Sequence, residues 1–409
     1  MSNIILLGMV SFFTDISSEM VYPILPLYLS SVMGAAPAII GIIEGIAESL
    51  ASIVKLFSGI IADRHGRKKQ IAFAGYASSL INKIILLFSA SWGGVLTARI
   101  IDRFGKGIRT APRDALIAEA AVRNAAKSEN GKQTPLGKAF GLHKGLDLLG
   151  TAIGILLAWL IISGNFDRII TAANSFFSQS TETADLTRYK TIFIFSIMPA
   201  LIGLVFFIFI KEKKTTRSAK AVTFNWKNLD KKLKLFLIFI FLFTLGNSSN
   251  AFVLLRAVSP EIGFSPTNVI LLYFIYNVTG SLLSYPAGLL SDKIGRKTLL
   301  CTGYFLYALV YASLGLISNA SAFVALFVLY GVYTALTVGA ERALIVEIAP
   351  EQHKAGALGL HSAIAGIGLL PASVIAGFLW EWLGPSAPFL FSGTLAFATG
   401  IGVFFVLKD

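Results

Sequence analysis

The sequence predicts an all-α integral membrane protein in which twelve transmembrane helices form two pseudo-symmetric six-helix bundles. Three observations predict it. The chain is 55% hydrophobic and only 14% charged, with a mean hydropathy of +0.73. A soluble domain carries about 25% charged residues, so this chain needs lipid as its solvent. Apolar runs long enough to span a bilayer recur along the whole length. Finally, short motifs in the first half return in the second half, in the same order.

The runs fall at 4–32, 37–62, 70–90, 92–119, 136–162, 190–210, 235–257, 265–290, 298–317, 320–347, 355–380 and 386–407. The first, fourth and tenth are polar enough to escape a crude hydropathy scan. Six runs precede the basic stretch KEKKTTRSAKAVTFNWKNLDKKLK and six follow it, which predicts bundles at 1–211 and 235–409 joined by a linker at 212–234. That stretch holds nine Lys and Arg against two acids, whereas residues 163–190 hold three of each. An excess of Lys and Arg marks cytoplasmic loops. The linker is therefore expected inside and 163–190 outside, with both termini cytoplasmic. The same reading assigns the net charge of +13 to orientation and contact with membrane lipids rather than to nucleic acid.

No signal peptide is expected, because Met1-Ser2-Asn3 leads straight into an apolar run without a charged leader or a small-residue cleavage site. With Cys301 as its single cysteine and four scattered histidines, the chain offers no intrachain disulfide and no metal-ligand spacing. It has no Walker loop, so ATP is not the expected driver, and no cofactor is expected. No Ser-His-Asp arrangement suggests an enzyme.

The repeat is specific. GIIADRHGRK (59–68) returns as GLLSDKIGRK (288–297), RDALIAE (113–119) as ERALIVE (341–347), and GLH (141–143) as GLH (359–361). FTDISSE (13–19) aligns with FTLGNSSN (243–250), matching Asp15 to Gly246 and Glu19 to Asn250. Parallel repeats of this kind are a transporter architecture.

These residues resemble the major facilitator superfamily over essentially the whole chain. The pattern GxxxD-[RK]-x-GR-[RK], here Gly59, Asp63, Arg64, Gly66, Arg67 and Lys68, is similar to the family's signature loop. Gly288, Asp292, Lys293, Gly295, Arg296 and Lys297 form the second copy. The resemblance implies a secondary transporter working by alternating access, with Gly59 and Gly288 at close helix approaches. It also implies a conformational latch. Asp63 and Asp292 would engage helix N-termini, while Arg67 and Arg296 would pair with Glu119 and Glu347. Arg103-Phe104-Gly105-Lys106-Gly107 resembles the family's fourth-helix arginine motif, with Lys106 where glutamine is usual; Arg99 with Asp102 is a second register. Gly150 and Gly154 form a GxxxG close-packing pattern, but the Gly-Pro pair usual in the family's exporters at this place is absent.

The fourth run, RIIDRFGKGIRTAPRD (99–114), places five basic residues on one helical face. A charge at the bilayer centre costs at least about 2.5–3.5 kcal/mol, so these cannot face lipid. Within the first half, eight intramembrane bases meet eight acids. Two readings follow and can coexist: a compensated ion-pair network, or a cavity that binds an anion. Proton coupling is expected from Asp15, Glu19, Glu44 and Asp147 with Arg103. Substrate contacts are expected from Arg109, Arg113, His143 and Lys144, and from Asn247, Asn250, Tyr276, Asn277 and Arg342 in the second half. His143 and His361 also fit plain hydrogen-bonded packing, and the tyrosines fit plain helix packing. The second half looks built for shape and hydrogen bonding, the first for charge.

The expected function is proton-coupled export of a polar or charged small molecule by a monomer in a bacterial inner (plasma) membrane. Proton-symport uptake of a small organic or inorganic anion is the alternative, and a non-transporting membrane sensor is the rival from another class.

Overall fold

The computed structural model describes residues 3–65, 67–126, 136–164, 184–212, 230–349 and 354–406. Most of the linker 212–234 and of the segment 163–190 lies outside these. Among the described residues the secondary structure is entirely helical: α1 (Asn3–Val21), a 3-10 turn (Tyr22–Ile24), α2 (Leu25–Ser31), α3 (Pro37–His65), α4 (Lys68–Phe88), α5 (Trp92–Ala126), α6 (Leu136–Ile162) and α7 (Ala184–Ile208). After the linker come α8 (Lys231–Gly246), α9 (Asn250–Val258), α10 (Pro266–Ile294), α11 (Arg296–Leu316), α12 (Ala320–Ile348), α13 (Lys354–Leu383) and α14 (Ala387–Val406).

Eleven of these stretches are long and apolar enough to cross a membrane. The helix that fails on composition is α5, the charged fourth run. At 35 residues it is long enough, since a bilayer core of about 30 Å needs about 20 residues. Its arginines turn inward: Arg99, Arg103 and Arg109 are only 4%, 6% and 6% exposed, while Phe104 on the other face is 45% exposed. Outer surfaces are apolar elsewhere too, with Met198, Ile208, Leu282 and Leu309 all exposed. Polar inside and apolar outside is the distribution that lipid demands.

The chain divides into two compact units, residues 1–33 with 53–220, and 34–52 with 221–409. In the first unit, α1 packs on α6 and α7, and α4 packs on α5. The GxxxG of α6 does what its spacing predicts. A Cβ on Gly150 would sit 2.4 Å from the Phe12 carbonyl oxygen, and one on Gly154 2.6 Å from that of Ile16, so α1 and α6 meet backbone to backbone. The α4–α5 crossing closes the same way at Gly75 and Gly105. Ile4, Leu7, Val10, Ala72, Tyr76, Ile117 and Phe207 form the apolar core beneath these contacts.

In the second unit α11 and α12 cross where Gly303 meets Thr337, and α14 packs on α11 and α8. The run expected at 235–257 is interrupted: α8 ends at Gly246, and Ser249 caps α9 by accepting from the Ala251 amide. The first run breaks likewise, at the turn over Tyr22–Ile24 before Pro26. Gly295 joins α10 to α11 with φ +90°, a conformation that a side chain disfavours. In the first unit α3 ends at His65 and α4 starts at Lys68, one position later in the repeated motif than Arg296 at the start of α11.

Candidate functional site

In the first unit α1, α4 and α5 bring a cluster of charges together. Asp15, Ser18, Glu19, Tyr22, Asn82, Lys83, Arg99, Asp102, Arg103, Lys106 and Arg109 line one narrow space of about 30 Å³. That holds a water or two and no organic substrate. Asp102 is its hub. Ser79 Oγ donates to Asp102 Oδ1 at 2.8 Å, Lys83 Nζ lies 3.9 Å from the same oxygen, and Arg103 Nε lies 3.9 Å from Oδ2. Lys83 also donates to Ser79 and Ser18, at 3.3 and 3.4 Å. The guanidiniums of Arg99 and Arg103 each lie 5.5 Å from the Tyr22 ring centre, and that of Arg109 lies 4.7 Å from Tyr76. Cation–π contacts of this kind are worth about 2 kcal/mol when desolvated. Arg109 further donates to the Gly75 carbonyl at 3.4 Å.

A second cluster joins the first through α6. The carboxyls of Asp15 and Asp147 lie close enough to interact directly, and a hydrogen bond between them would need a proton on one. Lys144 bonds Asp147 at 2.6 Å, and Arg113 bonds its neighbour Asp114 at 2.9 Å. His143 Nε2 lies 2.8 Å from Ser11 Oγ, which in turn lies 3.4 Å from the Tyr76 hydroxyl. The geometry of His143 is therefore that of a buried, hydrogen-bonded side chain.

Of the proton-coupling set, Asp15, Glu19 and Arg103 gather around one space, and Asp147 touches Asp15. Glu44 stands apart. Residues 34–52 belong to the second unit, where buried Glu44 accepts from Ser249 Oγ at 3.2 Å. Its helix lies close to α13 there, since a Cβ on Gly41 would be 2.3 Å from the Ser373 carbonyl oxygen.

The expected latch residues divide. Arg296 reaches Glu347 at 2.9 Å. In the first copy Glu119 is held by Lys68 at 2.6 Å, and Arg67 is exposed. The later start of α4 explains the difference. Counted from the helix starts, Lys68 is the counterpart of Arg296, although the motif text aligns Arg67 with it. Gly288 was expected at a close approach, yet nothing lies within 4 Å of its Cβ direction. It opens instead on a cavity of about 360 Å³ that Asp292 and Arg296 help to line. The surroundings of Gly59 and the side chain of Asp63 lie outside what the structure describes.

In the second unit Tyr330 donates to Asn250 Oδ1 at 2.7 Å and Tyr307 to the Gly246 carbonyl at 2.9 Å, with Asn247 Oδ1 3.4 Å away. Tyr276 stacks on Tyr330 with ring centres 4.6 Å apart, and Tyr307 on Tyr311 at 4.0 Å. Asn277 bonds back to its own helix at the Tyr273 carbonyl, and Arg342 is exposed. The roles of Ser79, Lys83 and Tyr22 were missed from sequence. Lys83 carried a signal, as a lone base in an apolar run.

Two repeated helical units, apolar outside and charged or tyrosine-lined inside, define a secondary transporter. The sequence model of the Major Facilitator Superfamily matches residues 7–254 and 235–409, and the chain belongs to that family. An uncharacterized MFS-type transporter of Methanocaldococcus jannaschii is 35% identical over 99% of this chain and 94% of its own length. The quinolone resistance protein NorA of Staphylococcus aureus is 26% identical over 36% of this chain and 38% of its own. Among solved structures, a variant of the nucleoside transporter NupG superposes with a TM-score of 0.79 at 14% identity, covering 99% of this chain and 100% of that one. A POT family transporter bound to a thioalcohol-conjugated peptide gives 0.77 at 14% identity over 99% and 96%. At these identities the two structures speak for the fold alone.

Proposed function

We propose that this transporter exports a polar or charged small molecule in exchange for protons, and that Asp15 and Asp147 carry the exchanged proton. The observation behind this reading is the close approach of the Asp15 and Asp147 carboxyls between α1 and α6. Two acids in contact hold one proton between them, and bases on both sides set the energy of releasing it. Lys144 already bonds Asp147, and Lys106 and Arg109 line the same space as Asp15. Loss of the proton leaves two anions side by side, a state that favours separation of α1 from α6 or the approach of a cation. Glu19 and Arg103 stand in the same space as relay partners. Arg109, Arg113, His143 and Lys144 in the first unit, with Asn247, Asn250, Tyr276, Asn277 and Arg342 in the second, form the substrate-contact set of this reading.

Compensation of bases by acids supports an ion-pair network over an open anion funnel. The partial likeness to a quinolone resistance protein supports export. On this reading the protein is a monomer of the bacterial inner membrane with both termini in the cytoplasm, its latch formed by Lys68–Glu119 and Arg296–Glu347 together with Gly59, Asp63, Arg67, Gly288 and Asp292.

Proteoliposomes with an imposed pH gradient, given a quinolone, a nucleoside and an organic anion in turn, test the reading. The expected result is movement of one of these against its gradient, opposite to the proton flow. Asp15→Asn and Asp147→Asn should each abolish accumulation while leaving equilibrative exchange. Accumulation by both variants would overturn the assignment. Co-movement with protons would point to symport, and binding of ligand with no flux to a sensor.

A further inference from the structure

The second unit holds a pair of titratable side chains that the proposal above leaves unused. Glu341 on α12 and His361 on α13 are in direct hydrogen-bond contact, Oε1 to Nε2, with side chains only 17% and 12% exposed. Each lies seven residues from the end of its helix, Ile348 for α12 and Lys354 for α13. At about 1.5 Å per residue both are roughly 10 Å deep, at the end of the unit that carries Asp292 and Arg296.

The repeat makes the pair unusual. Counted from the starts of α6 and α13, His143 and His361 are equivalent, and counted from α5 and α12, Arg113 and Glu341 are equivalent. The same two places thus hold histidine with a base in one unit and histidine with an acid in the other. In the first unit His143 turns to Ser11 and Arg113 to Asp114. In the second the two side chains bind one another.

We infer that Glu341 and His361 form a second proton-binding site, separate from the Asp15–Asp147 pair. The chemistry follows from the contact. With Nε2–H donating to the carboxylate, the pair carries one negative charge and Nδ1 is free to accept. A proton taken up at Nδ1 gives imidazolium against carboxylate, net charge zero, and no heavy atom has to move. An isolated buried imidazolium is costly; the adjacent carboxylate offsets that cost. Histidine is the side chain whose ordinary titration range spans neutral pH.

α3 packs on α13, with Ser49 donating to the Gly366 carbonyl, and its segment 34–52 carries the carboxylates Glu44 and Glu48. From α11 the pair is faced by Tyr304, whose buried hydroxyl lies beside Glu341 without completing a hydrogen bond. Tyr333 adds a phenol from α12, and Tyr276 of α10 lies beyond it. Arg342 is exposed. Along α8 the charges are confined to Lys231, Lys232 and Lys234 in its first turn, and α14 has no titratable residue. The Tyr304 hydroxyl is a ready donor to a Glu341 oxygen when the pair changes charge.

The inference rests on the reading of the protein as proton-coupled, yet its test needs no transported substrate, so the two can fail separately. The full chain in nanodiscs, labelled with ¹⁵N-histidine, gives a resonance for His361 that is assigned by its loss in His361→Gln. That resonance should change on proton uptake, and Glu341→Gln should alter the response. On a solid-supported proteoliposome layer, a pH jump should give a transient charge displacement in the Asp15→Asn, Asp147→Asn variant that falls when Glu341→Gln is added. Should Glu341→Gln fail to insert, Glu341→Asp takes its place, and an altered His361 response has the same meaning. A His361 response unchanged by Glu341→Gln, or a displacement undiminished when Glu341→Gln is added, would overturn the second site.

Discussion

The two units use one helical frame for opposite chemistries. The α4 and α11 helices are both 21 residues long, and counted from their first residues Ser79 and Lys83 fall on Tyr307 and Tyr311. Counted along α5 and α12, Asp102 falls on Tyr330. In the first unit these three are a serine, a lysine and an aspartate in mutual contact. In the second they are three tyrosines, with Tyr307 stacked on Tyr311 and the Tyr311 and Tyr330 hydroxyls 3.3 Å apart. Either set closes the crossing of two helices. Only the charged set changes its energy when a proton or an ion arrives. Duplication therefore supplies the scaffold, and the choice of three side chains sets whether a crossing is responsive or fixed.

The comparison can be broken by removing one partner at a time. Asp102→Ala strands Lys83, which is 1% exposed, and should cost about 3–5 kcal/mol, read as a large fall in thermal stability in nanodiscs. The double change Lys83→Met with Asp102→Leu should recover part of that loss, because Lys83 is no longer stranded although Arg103 still loses a carboxylate. If Asp102→Ala alone is as stable as the parent, the cluster is not a compensated network. Next in size is Gly150→Val. Its Cβ would press on the Phe12 carbonyl and should cost about 1–3 kcal/mol, whereas Gly288→Ala, which points into open space, should leave the melting temperature unchanged. Equal losses at the two glycines would contradict the packing described.

Smaller effects sharpen the contrast. Tyr330→Phe removes one hydroxyl bonded to Asn250 and should cost about 0.6 kcal/mol, the mean for such bonds within membranes. A loss as large as that of Asp102→Ala would mean the tyrosine unit is as interdependent as the charged one. Smallest of all, Arg296→Ala breaks a pair whose side chains are 35% and 58% exposed. Its stability cost should stay near the exposed-pair value of about 0.2–1 kcal/mol and shrink with salt, so any strong effect should appear in transport rate rather than in melting.

Much of this was legible in the sequence. Apolar runs and the repeated motifs give the helices and their duplication, because lipid tolerates few alternatives for the backbone. The inward turn of α5 also follows, since its bases repeat at helical spacing. What could not be read is equally physical. The α4 helix starts one position later in its motif than α11, so Lys68 rather than Arg67 meets Glu119. Glu44 and Asp15 look like members of one acid set, yet residues 34–52 pack with the second unit. The Glu341–His361 contact joins residues on neighbouring helices, and only the relative rotation of those helices brings them together.

The central claim is that the arginines of α5 are shielded inside the first unit while the opposite face of the helix meets lipid. Spin labels at Thr97 and Phe104, both exposed, in a Cys301→Ala background would test it without removing a charge. The account predicts labels accessible to oxygen dissolved in the lipid and inaccessible to a water-soluble nickel chelate. Labels closed to oxygen at both positions would mean that α5 is turned the other way, and would contradict the account.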